Sequence, residues 1–423
     1  HAPHPGELTA GITLWRTQRG RASMRPSEDL QGLRDFYREQ LLDDIIPWWT
    51  EHAIDRENGG ICTFIEDDGT VVSDDKYMWS QLRALYIFSA LYNRVGQRDE
   101  WLGIARNIYD YVAKYGRNED GDWNYWLTAD GEVVEGPTSI YSDGFAIMGM
   151  TEFARAIGEQ EPVDIALETY ATAKERLAKP GSYLTAPYVV PEGAKAHGVS
   201  MIFSSVFYEL GRFLDDEEIM AAGYDHAIQV MDHFRHPEKM CLLEYTGLDG
   251  SVLDVPEGRA VVPGHAIESM WFQMHIFEHR GEADRIAQAV ECVRWHTETA
   301  WDPEWGGLVL AFDSEWGGEP KWEHAMRKFW WVHTETIYAL LLSYFHTRES
   351  WCLDWHDRVM EWTFDHFPLE EHGEWTMRLL RTGERPEGLL SLIPLPIKDP
   401  FHTPRALMMC VELLEKFASE AGR

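Results

Sequence analysis

A chain of 423 residues is longer than a single compact core usually grows, so two or three domains are expected unless an internal repeat supplies another architecture. Its formal net charge of −33 repels phosphate backbones, which excludes a nucleic-acid partner. With 44% hydrophobic residues and 19 tryptophans, the chain has ample material for a folded core, which excludes wholesale disorder.

Cysteine usage and apolar runs bear on the compartment. Five widely spaced cysteines contain no CxxC pair, which predicts a reducing, cytoplasmic location and neither a zinc cage nor a disulfide framework. The longest apolar runs, such as residues 336–345, are too short to cross a bilayer, so no membrane partner is expected. Because the numbering starts at a histidine rather than a methionine, we expect residues 1–26 to be an N-terminal extension that is partly foreign to the natural chain.

Short turn-plus-strand segments recur along the chain at intervals of roughly sixty residues. Each pairs a turn-like start with a β-prone run, as in NGGICTF (58–64), DGDWNYW (120–126) and WGGLVLAF (305–312). The markers of the six segments are Ile61, Trp123, Tyr183, Leu242, Leu308 and Trp375. Six units of this length fill the chain.

Two kinds of helix are predicted around each turn. Before the turns, an apolar stripe with a 3.6-residue period predicts half-exposed outer helices over residues 33–49, 101–115, 164–178, 220–234, 283–301 and 352–367. After the turns and their small hairpins, sequences that are apolar on most sides predict buried inner helices over residues 78–92, 143–157, 200–214, 265–279, 330–345 and 404–417.

Six repeats of outer helix, hairpin and inner helix predict a closed toroid, the all-α (α/α)6 barrel, with short β-hairpins in the loops at one face. Each unit packs mainly on its neighbours, so residues 27–423 are expected to form one catalytic domain. The rival is an open α-solenoid, which requires polar capping helices at both ends. Here the last inner helix is as apolar as the middle ones, which favours closure.

Polar and aromatic residues cluster where the inner helices begin, and those six starts meet at one mouth of the barrel. They include His265 and Glu268, which share one helix face, and the residues Tyr77, Trp79, Gln81, Arg83, Tyr141, Asp143, His197, Met201, Trp331, His333, Glu335, His402 and Arg405. A single histidine at a helix start could simply satisfy free backbone N–H groups. Several buried polar groups are costly unless they share partners, so the cluster predicts a common polar cavity.

Other chemistries lack their motifs. The chain has no HExxH, no GxSxG elbow and no phosphate loop, and the pair His275/His279 sits late on its helix, away from the mouth, so neither a metal nor a cofactor is expected. What remains is acid–base chemistry by histidines in a pocket of aromatic rings and carboxylates. Such a pocket suits a small sugar, since tryptophans stack on sugar faces and charged groups bind hydroxyls.

Four segments carry a resemblance to a known family: DKYMWSQLRALYIFS (75–89), PGHAIESMWF (263–272), KFWWVHTETIYALL (328–341) and DPFHTPRALMMC (399–410). In this order and spacing, over nearly the whole chain, they are similar to the N-acylglucosamine 2-epimerase family, which includes renin-binding protein, cellobiose 2-epimerases and mannose or sulfoquinovose isomerases. The resemblance implies the same barrel fold and no cofactor.

The resemblance also implies residue roles. His265 and His402 match the two acid–base catalysts of the family, and Arg83, Glu268 and Glu335 match its polar pocket, while Trp331 matches a ring that stacks on the sugar. The implied reaction opens the pyranose, removes the C2 proton beside the C1 carbonyl and returns a proton to the opposite face of C2. Arg83 is our candidate partner for the developing oxyanion.

Several alternatives stay open at this point. Delivery of the proton to C1 would make the protein an aldose–ketose isomerase, and cellobiose is an alternative substrate. Cellobiose epimerases carry a further histidine early in the third inner helix, so either Met201 or His197 is expected to face the substrate, with Tyr77 as another contact. More distant alternatives are a glycoside hydrolase that uses Glu268, Glu335 or Asp143, and a carbohydrate-binding or protein-interaction module without catalysis. A homodimer is also expected.

Overall fold

Outer and inner helices alternate in the computed structural model, which describes residues 25–179, 181–315, 320–386 and 398–421. The inner helices are Met78–Ala90, Ile140–Ile157, His197–Leu214, Pro263–Arg280, Trp330–Thr347 and His402–Ala421. The outer helices are Leu30–Glu39 with Ile46–His52, Asp99–Tyr115, Gln160–Leu177, Glu217–Gln229, Ala283–Ala300 and Ser350–His366. The predicted order of elements is therefore confirmed. Of the predicted N-terminal extension, only Arg25 and Pro26 are among the described residues.

The first outer helix differs from its prediction because it is interrupted. A π-helical turn, Gln40–Ile45, separates its two α-helical parts. Pro47 lies at the start of the second part, Ile46–His52. A proline has no N–H to donate to the preceding turn, so it is tolerated at a new helix start but not within a continuous helix. Further π-helical turns, Leu91–Val95 and Val230–Phe234, extend the first inner and fourth outer helices, and short 3₁₀ turns are Pro26–Glu28, Pro237–Lys239 and Pro256–Arg259.

Burial follows the predicted distinction between the two layers. Every residue from Val332 to Ser343 of the fifth inner helix is buried, because other helices surround it on all sides. The second outer helix instead buries one stripe, which includes Trp101, Ile104, Ala105 and Ile108. This i, i+3, i+4, i+7 spacing is that of a helix with one face in the core and one in water.

Short antiparallel strands form the loop layer at one end of the barrel. Within units, Phe64–Ile65 pairs with Val71–Ser73, Arg235–His236 with Cys241–Leu242, and Pro368–Leu369 with Glu374–Trp375. Between units, Lys76–Tyr77 pairs with Trp126–Leu127. Within the second unit, Trp126–Leu127 also pairs with Val133–Glu135. The remaining pairs between units are Ala194–Ala196 with Tyr245–Gly247, Ala260–Val261 with Phe312–Asp313, and Lys328–Phe329 with Arg378–Leu379.

These pairings join neighbouring units around the ring. The strand that precedes an inner helix pairs with the hairpin of the following unit, as Lys328–Phe329 does with Arg378–Leu379. The ring closes in the same way, because the Lys398 N–H donates to the Thr63 carbonyl oxygen over 2.9 Å and so joins the last unit to the first. The predicted closed toroid is confirmed and the open solenoid is wrong. Among the described residues, the structure has no helix that is both long and apolar enough to span a membrane.

Two fully buried lysines anchor inner-helix starts to turns. Lys328 Nζ lies 3.1 Å from Asp302 Oδ2, and both side chains are 0% exposed. Lys76 Nζ lies 2.8 Å from Asp55 Oδ2 in the equivalent place of the first unit. Burial lowers the pKa of Lys328 to about 8 despite the opposing charge of Asp302. A lysine in such a place depends on its carboxylate to remain charged.

Replacing Asp302 with alanine is expected to lower the free energy of unfolding by about 3–5 kcal/mol, because Lys328 would be left buried without the carboxylate that keeps it charged. Urea denaturation followed by circular dichroism measures the change. The double variant Asp302→Ala/Lys328→Met should regain most of the loss, since it removes both charges. Glu175→Ala, at an exposed ion pair with Lys179, should leave the midpoint unchanged. An Asp302→Ala midpoint equal to the parent's would contradict a stabilising role for the pair.

Candidate active site

A cavity of about 200 Å³ lies where the inner helices begin. Eight of the residues predicted to meet at the mouth form part of its wall: Trp79, Arg83, Tyr141, Met201, His265, Glu268, Trp331 and His402. They come from all six inner helices, which explains how residues more than 300 positions apart in the chain meet. The repeat therefore brings the polar helix starts together at one mouth, as predicted.

His265 is oriented by a carboxylate that the sequence analysis missed. Its Nδ1 lies 3.1 Å from Glu244 Oε1 and 3.3 Å from Oε2. Burial by itself would lower the pKa of His265, but the charge and hydrogen bond of Glu244 outweigh burial and raise it. The same contact, with a contribution from His197, holds the pKa of the buried Glu244 at about 2 although its burial acts in the opposite direction. Glu244 therefore favours the imidazolium form of His265.

The backbone of Glu244 is fixed between two units. Its carbonyl oxygen accepts from the His197 N–H over 2.9 Å, and its N–H donates to Ala260 O over 3.0 Å. It follows the strand Cys241–Leu242 in the fourth hairpin. Glu244 is a single acidic residue in a β-prone run, and its distance along the sequence from His265 follows no helix or strand period. The sequence alone therefore does not indicate that the two side chains meet.

His402 has a carboxylate partner of its own. Its Nδ1 lies 2.7 Å from Glu335 Oε1. A carboxylate only accepts hydrogen bonds, so Nδ1 carries the hydrogen and Nε2 keeps its lone pair. Burial, reinforced by the charges of Arg83 and Arg405 and opposed by those of Glu268 and Asp399, lowers the pKa of His402 to about 3. His402 is accordingly neutral near pH 7, whereas the raised pKa of His265 favours its cation.

Arg405 joins the two predicted carboxylates. Its Nη2 donates to Glu335 Oε1 over 2.7 Å and also to Glu268 Oε1. Trp271 Nε1 donates to the second oxygen of Glu335 over 2.8 Å. Glu268 shares a helix face with His265, but its carboxylate binds the arginine of the sixth inner helix. Glu335 does not form part of the cavity wall and acts through His402 and Arg405.

Trp331 contacts both histidines. Its ring centroid lies 5.0 Å from that of His265 and 5.6 Å from that of His402. The ring fits because position 264 is glycine: a Cβ there would lie 2.3 Å from Trp331 Cζ3. The Pro-Gly sequence before His265 therefore starts the helix and also makes room for the tryptophan.

Arg83 supplies a positive charge to the wall. Its Nη1 donates to Asp399 Oδ2 over 3.1 Å. The guanidinium lies 4.2 Å from the centroid of Phe145, 4.6 Å from that of Phe401 and 4.8 Å from a ring centroid of Trp79. Its Nε has no hydrogen-bond partner in the structure. A fixed guanidinium with an unused donor is suited to bind a developing oxyanion.

The structure places Met201, and not His197, in the cavity wall. His197 is 0% exposed and lies behind Glu244, with 3.9 Å between its Nδ1 and Glu244 Oε2. Tyr77 also differs from its predicted place, because its ring stacks on Trp126 with centroids 5.4 Å apart and lies outside the described cavity wall. Neither His197 nor Tyr77 forms part of the described cavity wall, and their predicted contacts with the substrate stay predictions.

One group of residues has the spacing of a metal site. Ligand atoms of Glu268, Glu335 and His402 lie within 4.8 Å of one another. Arg405 Nη2 donates to both carboxylates, so a guanidinium already supplies the positive charge between them. The late pair His275 and His279 is split between two tyrosines, with His275 Nε2 2.7 Å from Tyr338 Oη and His279 Nδ1 2.8 Å from Tyr208 Oη. The expectation of no metal stays a prediction.

Comparison with known proteins gives a consistent set of relatives. The family model described as N-acylglucosamine 2-epimerase (GlcNAc 2-epimerase) matches residues 59–392. An N-acylglucosamine 2-epimerase of Bos taurus is 30% identical over 93% of this chain and 94% of its own length. A cellobiose 2-epimerase of Bacteroides fragilis is 25% identical over 90% of this chain and 98% of its own. The structure of cellobiose 2-epimerase from Bacillus thermoamylovorans shares the fold, with a TM-score of 0.78 at 18% identity over 90% of this chain and 99% of that one.

Proposed function

Because this chain belongs to the N-acylglucosamine 2-epimerase family and is a sugar 2-epimerase of the isomerase class, we propose that it interconverts a 2-acylamino aldose with its C2 epimer. The similarity to an N-acylglucosamine 2-epimerase over 93% of the chain supports this substrate class. The thioether of Met201 in the cavity wall, where cellobiose epimerases are expected to have an imidazole, supports it independently.

One observation carries the mechanism: two histidines of the same cavity are held at Nδ1 by separate carboxylates and have pKa values shifted in opposite directions. Neutral His402 is the base that removes the C2 proton of one epimer. His265 as imidazolium donates to the opposite face of C2, which inverts that carbon. Each positioned proton transfer typically contributes roughly 10²- to 10⁴-fold to the rate.

The open-chain aldehyde makes this deprotonation feasible. Removal of the proton from C2 places the electron pair in an enolate whose oxygen carries the charge. Arg83, with its guanidinium in the cavity wall and its fixed position against Phe145 and Phe401, stabilises that oxygen. The ring of Trp331 lies beside both histidines and provides an apolar face for the sugar carbons. No cofactor is required, because proton transfer and charge stabilisation account for every step.

The distant alternative of a glycoside hydrolase is disfavoured by the carboxylates. Glu268 and Glu335 are both bound by Arg405, and Glu335 is also bound by His402. Asp143, the third candidate, lies 3.5 Å from Arg176 of the third outer helix and outside the described cavity wall. None of the three is free to act on a glycosidic bond.

Hydrogen exchange from solvent tests the function. Purified protein is incubated in D₂O with N-acetylglucosamine, and separately with N-acetylmannosamine, glucose, mannose, fructose and cellobiose, and products are followed by NMR. We expect the C2 epimer of an N-acetylhexosamine with one deuterium at C2. Deuterium in a ketose would instead show isomerisation at C1, and epimerisation of cellobiose alone would overturn the proposed substrate. A homodimer, a cytoplasmic location and a single domain over residues 27–423 stay predictions.

A further inference from the structure

A second cavity lies at the opposite end of the barrel. Its volume of about 210 Å³ matches the roughly 200 Å³ of the catalytic cavity, so it admits ligands of similar size. It lies where the inner helices end, and each of the six helices or its final turn contributes to its wall: Arg94, Arg155, Arg212, Glu278, Phe345 and Lys416. Arg212 and Glu278 have side chains 43% and 41% exposed, so the cavity has an open rim.

The charges of this wall are nearly balanced. Four carboxylates, Glu152, Glu209, Glu278 and Glu412, alternate with the cations Arg94, Arg155, Arg212, Arg405 and Lys416. On a chain with a net charge of −33, this mixture attracts neither anions nor cations strongly. It offers both hydrogen-bond donors and acceptors, which is what an uncharged compound with many hydroxyl groups requires.

Two arginines in the wall of the second cavity have N–H groups without a hydrogen-bond partner. Arg94 approaches Glu152 and Glu412 only at 3.6 and 3.8 Å, which is too far for a hydrogen bond. Arg405 is 2% exposed, and its Nε has no hydrogen-bond partner although its Nη2 binds the catalytic carboxylates. The Arg94 side chain is 26% exposed, so a ligand hydroxyl in the cavity can accept from its unpaired N–H groups.

Aromatic rings complete the wall. Trp271, Phe272 and Tyr338 contribute to it although they are only 6%, 2% and 3% exposed, and they give the wall a small apolar part for the carbons of a sugar. We propose that this second cavity is a binding site for a neutral sugar, separate from the catalytic cavity and joined to it through Arg405. The proposal goes beyond the epimerase function and does not depend on which sugar is epimerised.

Binding stoichiometry tests the site. The His402→Asn variant serves as the parent, because turnover would otherwise alter the ligand during a titration. Isothermal titration with N-acetylglucosamine as the probe, and with glucose in a separate series, should give two molecules bound per chain for at least one sugar. Adding Arg94→Ala should weaken one of the two sites at least tenfold and leave the other unchanged. Adding Met148→Trp, which fills the same cavity with a larger side chain, should remove that site.

The matched control is Arg106→Ala, because Arg106 pairs with Glu159 at the outer surface and contributes to neither described cavity wall. Circular dichroism establishes that each variant is folded. One molecule per chain with both sugars, or two whose affinities neither Arg94→Ala nor Met148→Trp changes, would overturn the proposal. Binding of inorganic phosphate in place of the sugars would overturn its assignment to a neutral ligand. If no epimerisation occurs in D₂O but the second cavity still binds a sugar, the proposed reaction is wrong and the proposed binding site stands.

Discussion

Replacing His402 with asparagine is expected to lower epimerisation in both directions by roughly 10²- to 10⁴-fold, because one of the two proton transfers loses its side chain. The variant should still exchange the C2 hydrogen of one epimer with solvent, without inverting that carbon. His265 still faces one side of C2 and can remove and return a proton there. The variant should therefore incorporate deuterium at C2 of a single epimer, measured by NMR in D₂O with each epimer supplied separately.

His265→Asn provides the complementary result. It should exchange the C2 hydrogen of the other epimer only, because His402 serves the opposite face of that carbon. His279→Asn is the matched control, since this histidine bonds to Tyr208 late on the same helix as His265. Exchange of the same epimer by both catalytic variants would contradict two bases on opposite faces. Parent rates in both would mean that neither histidine transfers the proton.

The second large effect concerns Glu244. Its carboxylate raises the pKa of His265 against the effect of burial, whereas the pKa of His402 is about 3. In the active enzyme one of the two histidines is protonated and the other is neutral. The reaction therefore has the same pH limits in both directions. The rate should therefore be level from mildly acidic pH upward and fall as pH rises through the raised pKa of His265.

Glu244→Gln should move this alkaline limit to lower pH. The amide oxygen of glutamine can still accept from Nδ1, so the tautomer is kept while the stabilising charge is lost. Burial then dominates and lowers the pKa of His265, and each unit of that fall reduces the imidazolium fraction tenfold at alkaline pH. We expect a loss of about 10- to 100-fold in kcat/KM near pH 8 and a smaller loss near pH 6.

Profiles of kcat/KM between pH 5 and 9 measure this shift. The control is Glu238→Gln, because Glu238 contacts His236 at the surface and is 65% exposed. Its profile should coincide with that of the parent. An alkaline limit that does not move in Glu244→Gln would show that another group sets it.

The contrast between the two histidines shows why their electrostatics could not be predicted from motifs. His265 and His402 occupy similar places at the starts of their helices, and each is held at Nδ1 by a carboxylate. Glu335, however, also binds the Arg405 guanidinium, and burial together with the charges of Arg83 and Arg405 lowers the pKa of His402. The ion pairs of Glu244 are with His265 and His197, so its charge acts on His265.

Local pattern in the sequence determined the six-unit repeat, the two kinds of helix and the group of residues at the helix starts. These features depend on periodicities of a few residues and on a turn every sixty or so, which each stretch of chain carries within itself. The motif around PGHAIE and PFHTPR was also sufficient to identify His265 and His402 as candidates.

Only the tertiary structure decided which side chains pair. The contacts of His265 with Glu244, His402 with Glu335 and Arg405 with Glu268 join residues 21, 67 and 137 positions apart. Such pairs arise where a hairpin packs on the start of its own inner helix, or where side chains of different inner helices meet inside the barrel, so no local spacing encodes them. The inward turn of Met201, with His197 behind Glu244, is set in the same way by the packing of the loop layer on the helix starts.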